Sequence, residues 1–349
     1  MKGPKRMQLP RHVDIGSGIL RGIPEALESM RIRGNFLIVT GPNVTREYGK
    51  FVYDMLSGEH DTEMLSVSGA KKDACKVVMD RLSRNPRDYL IAVGGGKTID
   101  IAKYSAFHSQ CEFISIPTVL SHDGIASSRV SMANSEGVAS IDAVAPIAIM
   151  MDTEIISDAP YRFLASGCGD SVSKNTAVLD WELAYRLGKE EKSEYACALS
   201  LMSAKIVMDS AEVIRNGGEE GVRLVAKALM GSGVAMSIAG SSRPGSGSEH
   251  LFSHALDSIV PDRALHGEQV GVGTIMMMYL HGGDWREIRD FLSRIGAPVT
   301  AGDLGVDEES IIKALTSAHL VRPDRYTILG ETGLSEVAAG RVARRTEVI

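Results

Sequence analysis

An α/β half built on a parallel sheet, followed by an all-helical half, is the fold class that this 349-residue sequence predicts. Three observations carry it. Short apolar, β-branched runs alternate with segments of helical periodicity through the first half of the chain. A turn of three consecutive glycines, Gly94-Gly95-Gly96, ends one of those runs and opens a helical segment. Beyond Asp158 the strand signals nearly vanish, and stretches rich in Ala, Leu, Met and Glu follow one another. The predicted division is therefore 1–158 for the α/β domain and 159–349 for the helical one.

The elements follow in order. Residues 35–40 (NFLIVT) read as a strand, stopped by Gly41-Pro42, and 45–56 as a helix with Phe51, Val52 and Met55 on one side. Residues 63–67 (EMLSV) predict a second strand and 71–84 a second helix. Residues 88–93 (DYLIAV) predict a third strand running straight into the glycine turn, 97–107 a helix, and 113–116 a fourth strand. Strands alternating with helices of this length imply βαβ units. In the second half, helices are predicted at 174–187, 192–214, 221–238, 250–256 and 270–279.

Composition excludes several classes. Lys and Arg number 38 against 44 Asp and Glu, and no basic block dominates any stretch, so a nucleic-acid partner is not expected. The four cysteines, Cys75, Cys111, Cys168 and Cys197, form no C-x-x-C pair and fit a reducing cytoplasm. The N-terminal MKGPKRMQLPRHVD lacks the apolar core of a signal peptide. The longest mostly apolar run, 270–280, falls short of the ~20 residues of a membrane span. Glycine is the unusual number, 36 residues, about 10% against a usual ~7%.

The glycine turn sits where an open parallel sheet binds ligands, at a strand's carboxyl end. Glycines let backbone approach a phosphate, and the helix that follows offers free N–H donors. Two familiar motifs fail: the P-loop would need glycine at Ile91, and G-x-G-x-x-G would need it at Ile99. A phosphate cradle of another kind, or a turn serving packing alone, remains. The hydroxyl-rich IPTVLSHDGIASS at 116–128 suits either a surface turn or a loop holding a cofactor or polyol.

Three of the nine histidines crowd into seventeen residues. His250 and His254 are spaced i,i+4, so one helix face carries both, and His266 lies sixteen residues beyond His250. Imidazoles with a carboxylate suit a divalent metal with one position open. Asp170, in SGCGD at 166–170, is the candidate carboxylate; it also suits a helix cap.

GGGKTID, IPTVLSHDGIASS, SGCGDSVSKNTAVLDWELA, GSSRPGSGSEHLFSHALD and HGEQVGVGT, in this order and spacing, resemble the NAD(P)-dependent sn-glycerol-1-phosphate dehydrogenases. These belong with glycerol dehydrogenases, iron-type alcohol dehydrogenases and dehydroquinate synthases. The resemblance covers about residues 35–290. It implies a Rossmann-like dinucleotide-binding α/β domain plus an all-α C-terminal domain, the dehydroquinate synthase-like fold, with a cleft between them. It implies a divalent metal, zinc in most relatives, on Asp170, His250 and His266, and substrate or catalytic roles for Asp123, Asp170 and His254. NAD or NADP would contact Gly95, Gly96, Lys97, Thr98, Ile99, Asp100, Thr118, Val119, Leu120, Ser121 and Ser127.

The activity so implied is reduction of dihydroxyacetone phosphate to sn-glycerol 1-phosphate, which feeds archaeal-type membrane lipids, in a cytoplasmic homo-oligomer. The metal would polarise the ketone and the dinucleotide carry the hydride, with His254 relaying a proton or orienting the hydroxyl. Arg243 suits the phosphate, or a surface ion pair. Three rivals stand beside this reading. A glycerol dehydrogenase acting on unphosphorylated polyols shares the triad. A dehydroquinate synthase-like lyase would offer glutamate where Asp170 stands. A non-catalytic sensor would have no need to keep His254.

Overall fold

The computed structural model describes residues 7–134 and 137–349, so the basic start of the N-terminal stretch lies outside the described residues. Six strands form one wholly parallel sheet: β1 (His12–Gly16), β2 (Phe36–Thr40), β3 (Thr62–Ser66), β4 (Tyr89–Gly94), β5 (Glu112–Pro117) and, beyond an insertion, β8 (Ala148–Asp152). Their order is β1-β8-β5-β4-β2-β3. The insertion is a two-stranded antiparallel ribbon, β6 (Arg129–Asn134) and β7 (Gly137–Asp142).

Central strands are buried on both faces, as parallel sheets require. Phe36, Ile38, Ile91 and Val93 pack on one side with Leu20, Ile23 and Val52. Leu37, Val39, Leu90 and Ala92 pack on the other with Val78, Ile99 and Ala102. This double burial is what makes β2, β4 and β5 legible as near-continuous apolar runs. The predicted strands match β2 to β5 within about two residues, whereas β1, β8 and the ribbon were not foreseen. β1 is an edge strand in which polar His12 and Asp14 interrupt the apolar residues. β8 has a single β-branched residue, Ile149, among Ala148, Met150 and Met151, and its pairing with β1 is far from local.

The sheet reverses its winding between β2 and β4: β3 lies outside β2, while β5, β8 and β1 extend the other way. Ligands of open α/β sheets bind at such a switch point. The glycine turn leaves β4 at that place.

From Thr153 on, the described chain is helical. The predicted helix 192–214 breaks at Ser210 into Glu194–Asp209 and Ala211–Arg215. Helix Gly218–Ala239 is the one described helix long and apolar enough to cross a membrane by length and composition. Of its most apolar window 67% is buried in the protein, where it packs against Glu194–Asp209.

Candidate active site

Two cavities meet in the crevice between the halves. The first, about 690 Å³, is lined by Gly95, Gly96, Lys97 and Thr98 after β4, by Thr118, Val119 and Ser121 after β5, and by Val44, Thr45 and Tyr48 after β2. Gly96 opens helix Gly96–Ser109, so free backbone N–H groups face this groove. A side chain on Gly96 would collide with the His122 ring, which packs against the turn. The second cavity, about 450 Å³, is lined by Asp123, Ser127, His250, His254 and His266, together with Lys71, Arg129, Ser242 and Ser246. His122 and His266 line both cavities, so they stand where the two join.

Asp170, His250 and His266 each offer a ligand atom to one centre, all within 4.8 Å of one another. Close helix packing puts them there. Asp170 lies in the last turn of helix Tyr161–Val172, not at a helix start, so the capping alternative does not hold. Helix His266–Leu280 runs against it, and the contact depends on glycine. A Cβ on Gly267 would enter the Ser166 carbonyl, and one on Gly169 would enter the Gly267 carbonyl. Helix Ser248–Ile259 adds His250 and His254; its open N-terminus is held by Asp180, whose Oδ2 accepts from the Ser248 N–H (2.6 Å).

The donor set fits a divalent metal. The Glu249 carboxylate, wholly buried, accepts a hydrogen bond from His250 Nδ1 (2.8 Å). The Ser253 hydroxyl donates to Gln269 Oε1 (2.8 Å), which leaves its oxygen to accept from His266 Nδ1 (3.3 Å). With both Nδ1 atoms engaged, Nε2 is the nitrogen each ring keeps for the centre, and that of His250 stands 3.5 Å from Asp170 Oδ1, the usual arrangement behind a metal-bound imidazole. Asp170 accepts from the Asp123 N–H at Oδ2 (2.8 Å) and from Lys174 Nζ at Oδ1 (3.0 Å).

Lys174, wholly buried, also reaches Asp123 Oδ2 (2.9 Å) and the Gly245 carbonyl (3.2 Å), so one ammonium ties both carboxylates together. Burial works against the charges on Asp170 and Lys174, and the pairing overrides it. Asp170 is held well below the usual carboxylate range by Lys174, His250 and His266, and Lys174 is raised by Asp123 and Asp170. Burial likewise opposes the charge on His250, but Asp170 and Glu249 raise it on balance. His266 is pushed well down by burial and by the two neighbouring histidines. His254 falls to about 3 through burial and the charges of His250 and Arg325, and its Nδ1 has no partner among the described residues.

The remaining expected contacts separate by place. Ile99 and Leu120 are wholly buried in the core and line neither cavity. Asp100 and Ser127 line the second cavity rather than the groove, and Asp100 is paired there with Lys71 Nζ (2.7 Å). Arg243 lies away from both cavities and is held two-pronged by Glu190. Reading the sequence passed over His122, Lys174 and Glu249 as functional residues. Lys174 carried a signal, its i,i+4 spacing from Asp170, and Glu249 adjoins a candidate ligand.

The chain is similar to known proteins along its whole length. The family profile of iron-containing alcohol dehydrogenase matches residues 14–160. Glycerol-1-phosphate dehydrogenase (NAD(P)+) of Methanothermobacter thermautotrophicus is 52% identical over 347 residues, covering 99% of each chain. The enzyme of that name from Methanosarcina acetivorans is 54% identical, covering 99% of this chain and 97% of its own. In structure, glycerol dehydrogenase from Schizosaccharomyces pombe superposes with TM-score 0.79 at 21% identity, over 99% of this chain and 91% of that one. A probable glycerol dehydrogenase from Sinorhizobium meliloti gives TM-score 0.78 at 18% identity, over 99% and 98%. The structural likeness carries the fold, a parallel α/β half with a helical half. Identity of about half over nearly the entire length carries more: the chain belongs to the glycerol-1-phosphate dehydrogenases.

Proposed function

We propose that this chain reduces dihydroxyacetone phosphate to sn-glycerol 1-phosphate with NADH or NADPH, supplying the glycerophosphate backbone of archaeal-type membrane lipids. The single observation that carries this reading is the Asp170/His250/His266 centre at the junction of a glycine-lined groove and a polar cavity. The groove, with residues 95–98 and 118–121 along it, takes the dinucleotide, and the cavity takes the ketone. A divalent ion on the triad, zinc in our reading, would supply Lewis acidity at the ketone oxygen, and the bound dinucleotide the hydride.

The protein's own residues do the rest. Asp123, fixed by Lys174 Nζ and by the Ser232 hydroxyl (2.6 Å), accepts a hydrogen bond from the substrate's free hydroxyl. His254 presents its unpartnered ring to the same cavity and orients the oxygen that gains a proton. His122 closes the junction and keeps the ring of the cofactor against the ketone; its own orientation is fixed because Nδ1 accepts from the Gly124 N–H (3.0 Å). Asn43 follows β2, just ahead of Val44 in the groove lining, and brings no carboxylate to repel a 2′-phosphate, which supports use of both dinucleotides.

The four cysteines, all unpaired, support a reducing, cytoplasmic setting. Exposed Tyr185, Leu187, Tyr195 and Met202 on the helical half support a homo-oligomer. The division 1–158 and 159–349 stands as our assignment of dinucleotide-binding and metal-binding domains.

Turnover of dihydroxyacetone phosphate compared with dihydroxyacetone tests the proposal. Strong preference for the phosphorylated ketone is expected. Preference for the unphosphorylated one would favour a glycerol dehydrogenase instead.

A further inference from the structure

One wall of the substrate cavity carries a charge that the chemistry above does not use. Ser242 and Ser246 line that wall, and Arg325 stands behind them. The Arg325 side chain is buried, its residue only 8% exposed. Nη2 donates to Ser242 Oγ (2.8 Å) and Nη1 to the Ser246 carbonyl (2.6 Å). Its position is firm, because the nearby Ile328 N–H donates to Asp180 Oδ1 (2.7 Å), the same carboxylate that caps the His250 helix.

Neighbouring cations have partners: Arg243 has Glu190, Lys71 has Asp100, Arg129 has Asp142, and Arg322 has Asp324. Among the described residues no carboxylate pairs with Arg325. Burial and the adjacent Arg322 and Arg243 lower it to about 9 while Glu190 and Asp324, neither of them ion-paired to it, pull the other way, so it stays charged at neutral pH. A buried guanidinium with no carboxylate in direct contact is costly, and an anion arriving beside it offsets that cost. Ser242 adds a second sign. Its oxygen accepts from Arg325, and its own O–H has no acceptor among the described residues, so a donor is left over on the cavity wall.

We propose that the Ser242/Ser246 wall is the subsite for the substrate's phosphate, with the Ser242 hydroxyl donating to it. Arg325 is a positioning residue there. It orients Ser242, holds the Ser246 backbone and places a positive charge behind both. The inference rests on the phosphorylated-ketone reading above and names the residues that would make that preference. Arg243, the arginine that the motif itself offers, is spent on Glu190.

Steady-state kinetics of Arg325→Gln and Ser242→Ala test it, with inorganic phosphate as a competing inhibitor. In Arg325→Gln the KM for dihydroxyacetone phosphate should rise about ten- to a hundredfold, as the loss of a charge-assisted contact implies, while kcat falls less than about threefold. The inhibition constant of phosphate should rise in step, and Arg325→Lys should recover part of both. Ser242→Ala removes one small donor without disturbing the packing, and should raise both constants about three- to tenfold. The subsite is overturned if wild type prefers the phosphorylated ketone and both variants keep its KM and the phosphate inhibition constant within about twofold. It is also overturned if only Lys71→Met moves them. If wild type itself prefers dihydroxyacetone, the functional reading fails first, and the phosphate inhibition constant alone then decides whether the wall binds the anion.

Discussion

Glu249 holds three donors at once: the His250 ring, the Gly247 N–H (2.6 Å) and the Thr176 hydroxyl (2.7 Å). It thereby sets which imidazole nitrogen faces the metal position. Glu249→Gln keeps the volume and loses the charge, so metal affinity, measured by chelator competition, should fall about tenfold or more. Dinucleotide binding should be unchanged; unaltered metal affinity would remove Glu249 from the site. Lys103 is a second buried ion, donating to the carbonyls of Gly124 and Arg129 under the Asp123 loop. Burial lowers it to about 8 against 10.5 for a free lysine, although Asp100 and Asp123 pull the other way. Between those two values the unfolded chain binds more protons than the folded one, so Lys103's contribution to stability improves as pH rises. Relative to Lys103→Met, wild type should therefore gain in Tm between about pH 7 and about pH 9.5; a constant difference would contradict this. The histidine triad was legible because local spacing carries it, and Asp170 because glycine flanks it. Arg325 was not: it reaches Ser242 and Ser246 across 83 and 79 residues, and no local pattern records such a meeting.

At the scale of elements, the site depends on how closely helix His266–Leu280 approaches helix Tyr161–Val172. Part of the surplus glycine is spent at that crossing, where Gly169, Gly267 and Gly271 let backbones touch. Gly267→Ala must push the helices apart. The expected cost is about 1–3 kcal/mol of stability together with weakened metal retention, since His266 is the adjacent residue. Gly302→Ala is the control: its Cβ would meet only the Thr300 hydroxyl, at 3.8 Å, and helix propensity makes it neutral or stabilising. Equal Tm and metal content in both variants would show that the crossing is not what holds the site. The same glycines explain a misreading. In SGCGD they look like the approach to a new helix, yet they lie inside one, serving its neighbour rather than its end.

Across the whole molecule, the catalytic crevice arises from two sources that the sequence records unequally. Double burial writes β2, β4 and β5 plainly, and with them the switch point and its glycine turn. β1, β8 and the ribbon stay hidden because an edge position, Ala/Met content and distant pairing leave little local trace. The ribbon matters, since Arg129 and Ser140 from it line the substrate cavity. Because the glycine turn and the metal triad come from different halves, removing the metal with a chelator should abolish turnover while NADPH still binds, as followed by its fluorescence. Turnover that survives in a metal-stripped sample would separate the triad from the chemistry. The most direct test of the central claim is a stereospecific assay of the product from dihydroxyacetone phosphate and NADPH with the metal-loaded enzyme. The account predicts sn-glycerol 1-phosphate, formed by wild type and lost in Asp170→Asn; sn-glycerol 3-phosphate, or no reduction at all, would contradict it.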